Sequence, residues 1–173
     1  MRRKEASKTA EDAYKSVMAA SLAPVLYQER VAQDTIEGRF SMTALHGALA
    51  MRRLRTAGEP GRVLAAALQK RLFSGFDYAL RETGVGDSSI ARKARRLGEE
   101  FYGLARAIDS ALSDETDDGL ARALERNGLG GGRSRDLALY VRSCADALHD
   151  AGDADVLRGQ FPWASFHGSS VSG

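Results

Sequence analysis

The side chains able to do chemistry are few, and their spacing assembles no catalyst. The chain holds three histidines, one cysteine and scattered serines, with no nucleophile–base pair and no metal-ligand spacing. Gly128–Gly132 invites comparison with a phosphate-cradling loop. It follows a helical pattern rather than a strand, however, and lacks the Gly-Lys-Ser/Thr ending that such a loop needs. An enzyme is therefore not expected, nor a cofactor. His46 lies on an apolar stripe, four residues after Met42 and three before Leu49. A single histidine without a second ligand at helical spacing is a weak cofactor signal and reads first as a hydrogen-bonded core residue.

The charged residues are more distinctive. Asp34 and Arg39 flank a turn ahead of an aromatic, Phe40. They read either as a polar network that fixes a loop for partner contact or as a local ion pair of small energetic value. Asp77, Arg81, Glu82 and Asp87 bracket the turn Gly84-Val85-Gly86, with Asp77 and Arg81 at the i,i+4 spacing of a helical ion pair. Helix-end electrostatics and capping account for most of that collar. Two basic clusters follow, Arg52-Arg53 with Arg55, and Arg92-Lys93 with Arg95-Arg96. Arg92, Arg95 and Arg96 share one helical face that could meet phosphate on anionic lipid or ribosomal RNA; the alternative is a solvated face. No aromatic residue interleaves with either cluster, which argues against base reading and against DNA. Tyr102-Gly103 is the remaining oddity. A glycine inside a helix costs ~0.5–1 kcal/mol relative to alanine, so either a close helix crossing or a groove admitting another chain is expected there.

With 173 residues, 43% hydrophobic and 28% charged, the totals fit one ordinary globular domain. Residues 1–110 carry a surplus of six positive charges and residues 111–173 a deficit of four, leaving +2. An anionic partner for one face is one reading of that asymmetry. Cys144 is the only cysteine, so no disulfide forms within the chain. No run of about 18 apolar residues exists, which argues against a membrane-crossing helix. The basic opening MRRKEASK lacks the apolar core of a secretory signal, and Glu5, Glu11 and Asp12 argue against a mitochondrial presequence.

These residues need helices to position them. Residues 1–9 lack an apolar period and are expected to be disordered. Ala10 to Leu22 fits one helical face, and Pro24 restarts a short piece to Val31. Asp34 to Phe40 is expected as a turn with Gly38 at positive φ, and Ser41 as the cap of a helix to about Ala57. Leu64, Leu68, Leu72, Phe76 and Leu80 recur once per turn over Gly61 to Thr83. Ile90, Ala94, Leu97, Phe101, Leu104, Ile108 and Leu112 do so over Asp87 to Leu112. Gly84 fits the position after a helix end, and Asp87 or Ser88 the next N-cap. The short Gly84–Asp87 connection makes these two long helices antiparallel neighbours. A shorter helix lies within Asp114 to Leu129, and another begins at Ser134 as its cap. Residues 10–152 thus form an all-α, single-domain bundle of about six helices, and residues 153–173 a tail that is partly loose.

Asp34, Gly38-Arg39-Phe40, Leu45-His46 and Arg52-Arg53-Leu54 form one block. Leu80-Arg81-Glu82, Gly84-Val85-Gly86-Asp87 and Phe101-Tyr102-Gly103 form a second. In order and spacing, over roughly Asp34 to Leu112, these resemble the ubiquinol–cytochrome c chaperone family, which assists assembly of respiratory complex III. Leu104 and Ser74-Gly75-Phe76 depart from the family pattern, and beyond Leu112 the likeness is thin. The resemblance implies a chaperone that binds newly made cytochrome b, with the ribosome and a second small assembly factor as further partners. With the acidic residues of the opening segment arguing against a presequence, the expected address is the bacterial cytoplasm, peripheral to the inner membrane, ahead of the mitochondrial matrix. The resemblance also implies partner contacts at Asp34, Arg39, His46, Arg53, Asp77, Arg81, Glu82, Asp87, Lys93 and Tyr102, with Arg92, Arg95 and Arg96 on an anionic surface. A ribosome- or RNA-binding helical module, and a haem-handling protein using His46, are the alternatives. A nascent membrane helix would need an apolar groove, expected beside the Asp34–Phe40 and Gly84–Asp87 turns.

Overall fold

The computed structural model describes residues 3–84, 86–114 and 116–168. They form eight helical segments, and no strand occurs among the described residues. In chain order these are α1 (Arg3–Ser21), α2 (Pro24–Gln28), α3 (Ile36–Arg55), α4 (Gly58–Glu82), α5 (Asp87–Ser113), α6 (Asp117–Arg126), α7 (Ser134–Asp150) and α8 (Asp153–Val156). The all-α single-domain bundle expected from periodicity is what the chain forms, with α2 and α8 as two short additions.

Helix α3 is the axis of the bundle and packs against α1, α4, α5 and α7. Its stripe of Met42, Leu45, His46 and Leu49 is buried, as the spacing predicts. So are Ala44, Gly47, Ala48 and Ala50 on its other faces. Those small side chains let neighbours approach from every direction: a Cβ added at Gly47 would lie 2.8 Å from Leu72 Cδ1 of α4. Helices α4 and α5, of 25 and 27 residues, are about 37 and 40 Å long and antiparallel, with Gln69 meeting Tyr102, Phe73 meeting Phe101 and Arg81 meeting Asp87. The glycine predicted to end α4 does so, since Gly84 takes φ +72°, a conformation cheap only without a Cβ. Phe101, Leu104 and Ile108 of α5 are buried, as are Leu64, Leu68 and Leu72 of α4.

Several local expectations are corrected. Helix α3 starts at Ile36, and its cap is Thr35, whose Oγ1 accepts the Gly38 N–H at 3.0 Å. Ser41 lies inside the helix and donates to the Glu37 carbonyl. Gly38 is helical, and what demands it is proximity, because a Cβ there would fall 1.9 Å from the Gln33 carbonyl oxygen. The N-caps of α5 and α7 are Gly86 and Arg133, and neither contributes a side-chain cap bond. The start expected to be disordered is helical from Arg3; apolar periodicity marks only packing faces, whereas a helix extends as far as its residues tolerate. Met1 and Arg2 lie outside the described residues.

Over residues 153–168 the tail packs onto the bundle. Phe161 and Phe166 are buried, and the Trp163 indole N–H donates to Ser16 Oγ at 3.0 Å. The indole ring meets His46 edge-on, 5.1 Å between centroids. Three aromatic rings in six residues supply enough apolar area to order a segment that has no regular structure. Residues 169–173 lie outside the description.

Candidate protein-binding groove

An open groove of about 340 Å³ lies between α1, the start of α3 and the second half of α4. Tyr14 and Met18 come from α1, Phe40 and Thr43 from α3, and Leu72 and Phe76 from α4. Gly75 makes room for the Tyr14 ring, for a Cβ there would come within 2.8 Å of the Tyr14 hydroxyl. The Arg71 guanidinium lies over that ring, 3.9 Å from its centroid, and in turn meets Glu11 at 2.7 Å. The hydrogen bond from Arg71 holds the Glu11 carboxyl below the usual carboxylate range.

Large apolar side chains remain in water at the rim. Tyr78 is 67% exposed, Ile36 50% and Leu22 39%. Only six large apolar side chains among the described residues are exposed, and three of them line this one groove. Such clustering marks a contact surface, whereas singly scattered apolar residues mean little. A smaller recess containing Pro24, Tyr27 and Asp34 continues from the groove through Leu22 and Arg39. On the far side, Phe40 and Phe76 stand edge-to-face at 5.2 Å as a wall. Behind it lies a second cleft of about 310 Å³, where Glu37, Glu100 and Arg126 join the lining.

Of the residues singled out by sequence, Asp34 and Arg39 reach this site. Arg39 donates from Nε and Nη2 to Asp34 Oδ1 at 3.1 and 2.8 Å, and the pair sits at the groove edge. The collar at the α4–α5 turn also forms, with Arg81 at 3.0 Å from Asp77 and 3.5 Å from Asp87. Glu82 beside it is exposed. None of the four lines the groove, so of the two turns only the one at the start of α3 borders it. Tyr102 is half-exposed on α5, with its ring against Phe73 and Phe101. Gly103 is a correction: nothing stands within 4 Å of an added Cβ, so no helix crosses closely there. Arg92, Lys93, Arg95 and Arg96 are exposed. However, Arg95 and Arg96 pair with Glu99 and Glu100 one turn on, which halves the charge the face can offer.

His46 and Arg53 are corrected from partner contacts to internal ties. His46 is fully buried, with Nδ1 2.8 Å from the Met42 carbonyl and Nε2 2.7 Å from the Tyr140 hydroxyl. A carbonyl only accepts, so Nδ1 carries the proton and Nε2 accepts from Tyr140. Both nitrogens are thereby engaged, leaving none for a haem iron. Burial pushes the imidazole pKa down to about 4. Arg53 donates to the carbonyls of Leu148 and Ala151, both at 2.7 Å, and to Asp153 Oδ1 at 2.6 Å. It therefore satisfies orphan acceptors at the end of α7 and fastens the start of α8 to them.

Tyr78 and Ile36 are the exposed apolar groove residues that stripe analysis did not select. Tyr78 stands off the Leu64–Leu80 seam of its own helix, and a large apolar side chain away from the seam is the signal that was there to be read. Among the described residues no group of His, Cys, Asp and Glu is placed to hold a metal ion, and no helix is long and apolar enough to cross a membrane.

The described residues thus form an all-α bundle with an open apolar groove beside its central helix. The family model described as Ubiquinol-cytochrome C chaperone matches residues 28–163, and the chain belongs to that family. The match runs well past Leu112, so the C-terminal helices are part of the family's fold. The chain is also similar to the solved "Crystal structure of the Cbp3 homolog from Brucella abortus". That likeness has a TM-score of 0.84 at 28% identity, over 95% of this chain and 94% of the other. No curated protein matches.

Proposed function

We propose that the protein binds newly made cytochrome b in the groove between α1, α3 and α4, and so promotes assembly of ubiquinol–cytochrome c reductase. The observation that carries this reading is the cluster of exposed Tyr78, Ile36 and Leu22 around one apolar recess, in a member of the ubiquinol–cytochrome c chaperone family. An unfinished membrane protein exposes apolar area that water disfavours by about 25 cal/mol per Å². A groove that covers part of that area lowers the free client's tendency to aggregate without holding it irreversibly. Asp34 and Arg39 then act as the polar edge of the contact, and the exposed α5 cations Arg92 and Lys93 as a peripheral contact with the anionic inner membrane.

Removing the gene is expected to lower assembled complex III while other respiratory complexes persist. A photo-crosslinking side chain at position 78 is expected to capture cytochrome b. Normal complex III in the deletion strain, together with no cytochrome b adduct from position 78, refutes the assignment.

A further inference from the structure

The groove also carries information in the charges it lacks. Among the described residues its only charged lining residue is Arg39, and two of that guanidinium's nitrogens are already committed to Asp34 Oδ1. Thr43 at its floor is turned inward, donating to the Arg39 carbonyl at 2.9 Å. The second cleft differs, since Glu37 and Arg126 line it and no ion pair joins either to another described residue. The two recesses share Phe40 and Phe76, yet they offer an incoming chain opposite conditions.

We propose that the first groove selects by absence of charge: it takes one face of an uncharged apolar helix, of the kind that later spans a membrane, and rejects a helix with charge on its docking face. The proposal rests on the client reading of the same site and adds the class of segment accepted. A Lys or Glu entering the groove would lose its water and find no free counter-charge, because Arg39 and Asp34 neutralise each other; an unpaired charge is among the most costly groups to bury. Discrimination then comes from what the wrong segment loses rather than from extra attraction to the right one. Tyr78, whose ring costs little entropy to order, is the anchor.

The test uses the full chain and three fluorescent synthetic helical peptides. One is a leucine–alanine helix with no charged side chain; the others replace its central leucine by Lys or by Glu. The uncharged peptide is expected to bind most tightly, with each charged one about tenfold weaker or worse. Tyr78→Ala is expected to weaken the uncharged peptide about tenfold without moving the unfolding midpoint, since the side chain is mostly in water. Asp34→Asn frees Arg39, so the Glu peptide is expected to regain affinity while the Lys peptide does not. Equal affinity for all three peptides, indifference to Tyr78→Ala, or no gain for the Glu peptide in Asp34→Asn overturns the proposal. The peptides contain no cytochrome b sequence. Charge discrimination without a complex III defect therefore removes the client assignment alone, and a defect without discrimination removes this inference alone.

Discussion

Lowering the pH should unfasten the bundle at His46, and the size of the effect follows from its surroundings. The ring is enclosed by α3 itself, by Tyr140 of α7, and by Trp163 of the tail, with the Cys144 thiol beside the same Tyr140 hydroxyl. None of these carries a negative charge near neutral pH, because burial raises both Tyr140 and Cys144. An imidazolium would therefore be desolvated without compensation. The ordinary histidine pKa is 6.5 and the folded one about 4. Above 6.5 both the folded and unfolded forms are neutral, and His46 contributes no pH dependence. Between 6.5 and 4 the unfolded chain takes up a proton that the native one refuses, so stability falls as pH falls. With each pH unit worth about 1.4 kcal/mol, the loss is about 2 kcal/mol at pH 5 and about 3 kcal/mol at pH 4. That is a large fraction of the 5–15 kcal/mol typical of a domain. The assay is urea unfolding of wild type and His46→Gln at pH 7, 6, 5 and 4. Every other titrating group is common to both proteins, so the difference between them isolates the imidazole. The wild-type advantage should shrink by about 3 kcal/mol across that range. Parallel curves would refute the reasoning and show that His46 accepts a proton in the folded state.

Substitutions at Arg53 test an internal tie. Arg53→Met removes donors from two carbonyls at the end of α7 and from Asp153. Charged hydrogen bonds contribute about 1.5–3 kcal/mol, so urea unfolding should show a loss of about 3 kcal/mol, with Arg53→Lys recovering only part because an ammonium cannot span the same acceptors. Glycine substitutions should split by surroundings. Gly103→Ala meets nothing within 4 Å and should raise stability by about 0.5–1 kcal/mol. Gly61→Ala would put a Cβ 2.0 Å from the Leu54 carbonyl oxygen and should cost about 2 kcal/mol or more as α3 and α4 are forced apart. Thermal or urea midpoints moving the same way for both glycines would contradict the geometry.

The helices of this protein are written locally, and so is their antiparallel pairing. The once-per-turn seams of α4 and α5 need only the 3.6-residue repeat, and Gly84 needs only its missing Cβ to reverse the chain between them. The two charged turns carry enough pattern to suggest the family. Depth within the bundle is not written that way. His46 and Arg53 share a stripe with Leu45 and Leu49 and could have faced a partner. They lie inside because α3 is small on its remaining faces and is covered from several sides, by helices far away in sequence and by the tail. The groove is decided in the same manner: Tyr78 stands off the seam of its own helix, but only the docking of α1, α3 and α4 brings it together with Leu22 and Ile36 around one recess. A helix's own repeat tells which of its residues are apolar, but which of them meet water depends on what the rest of the chain places against it.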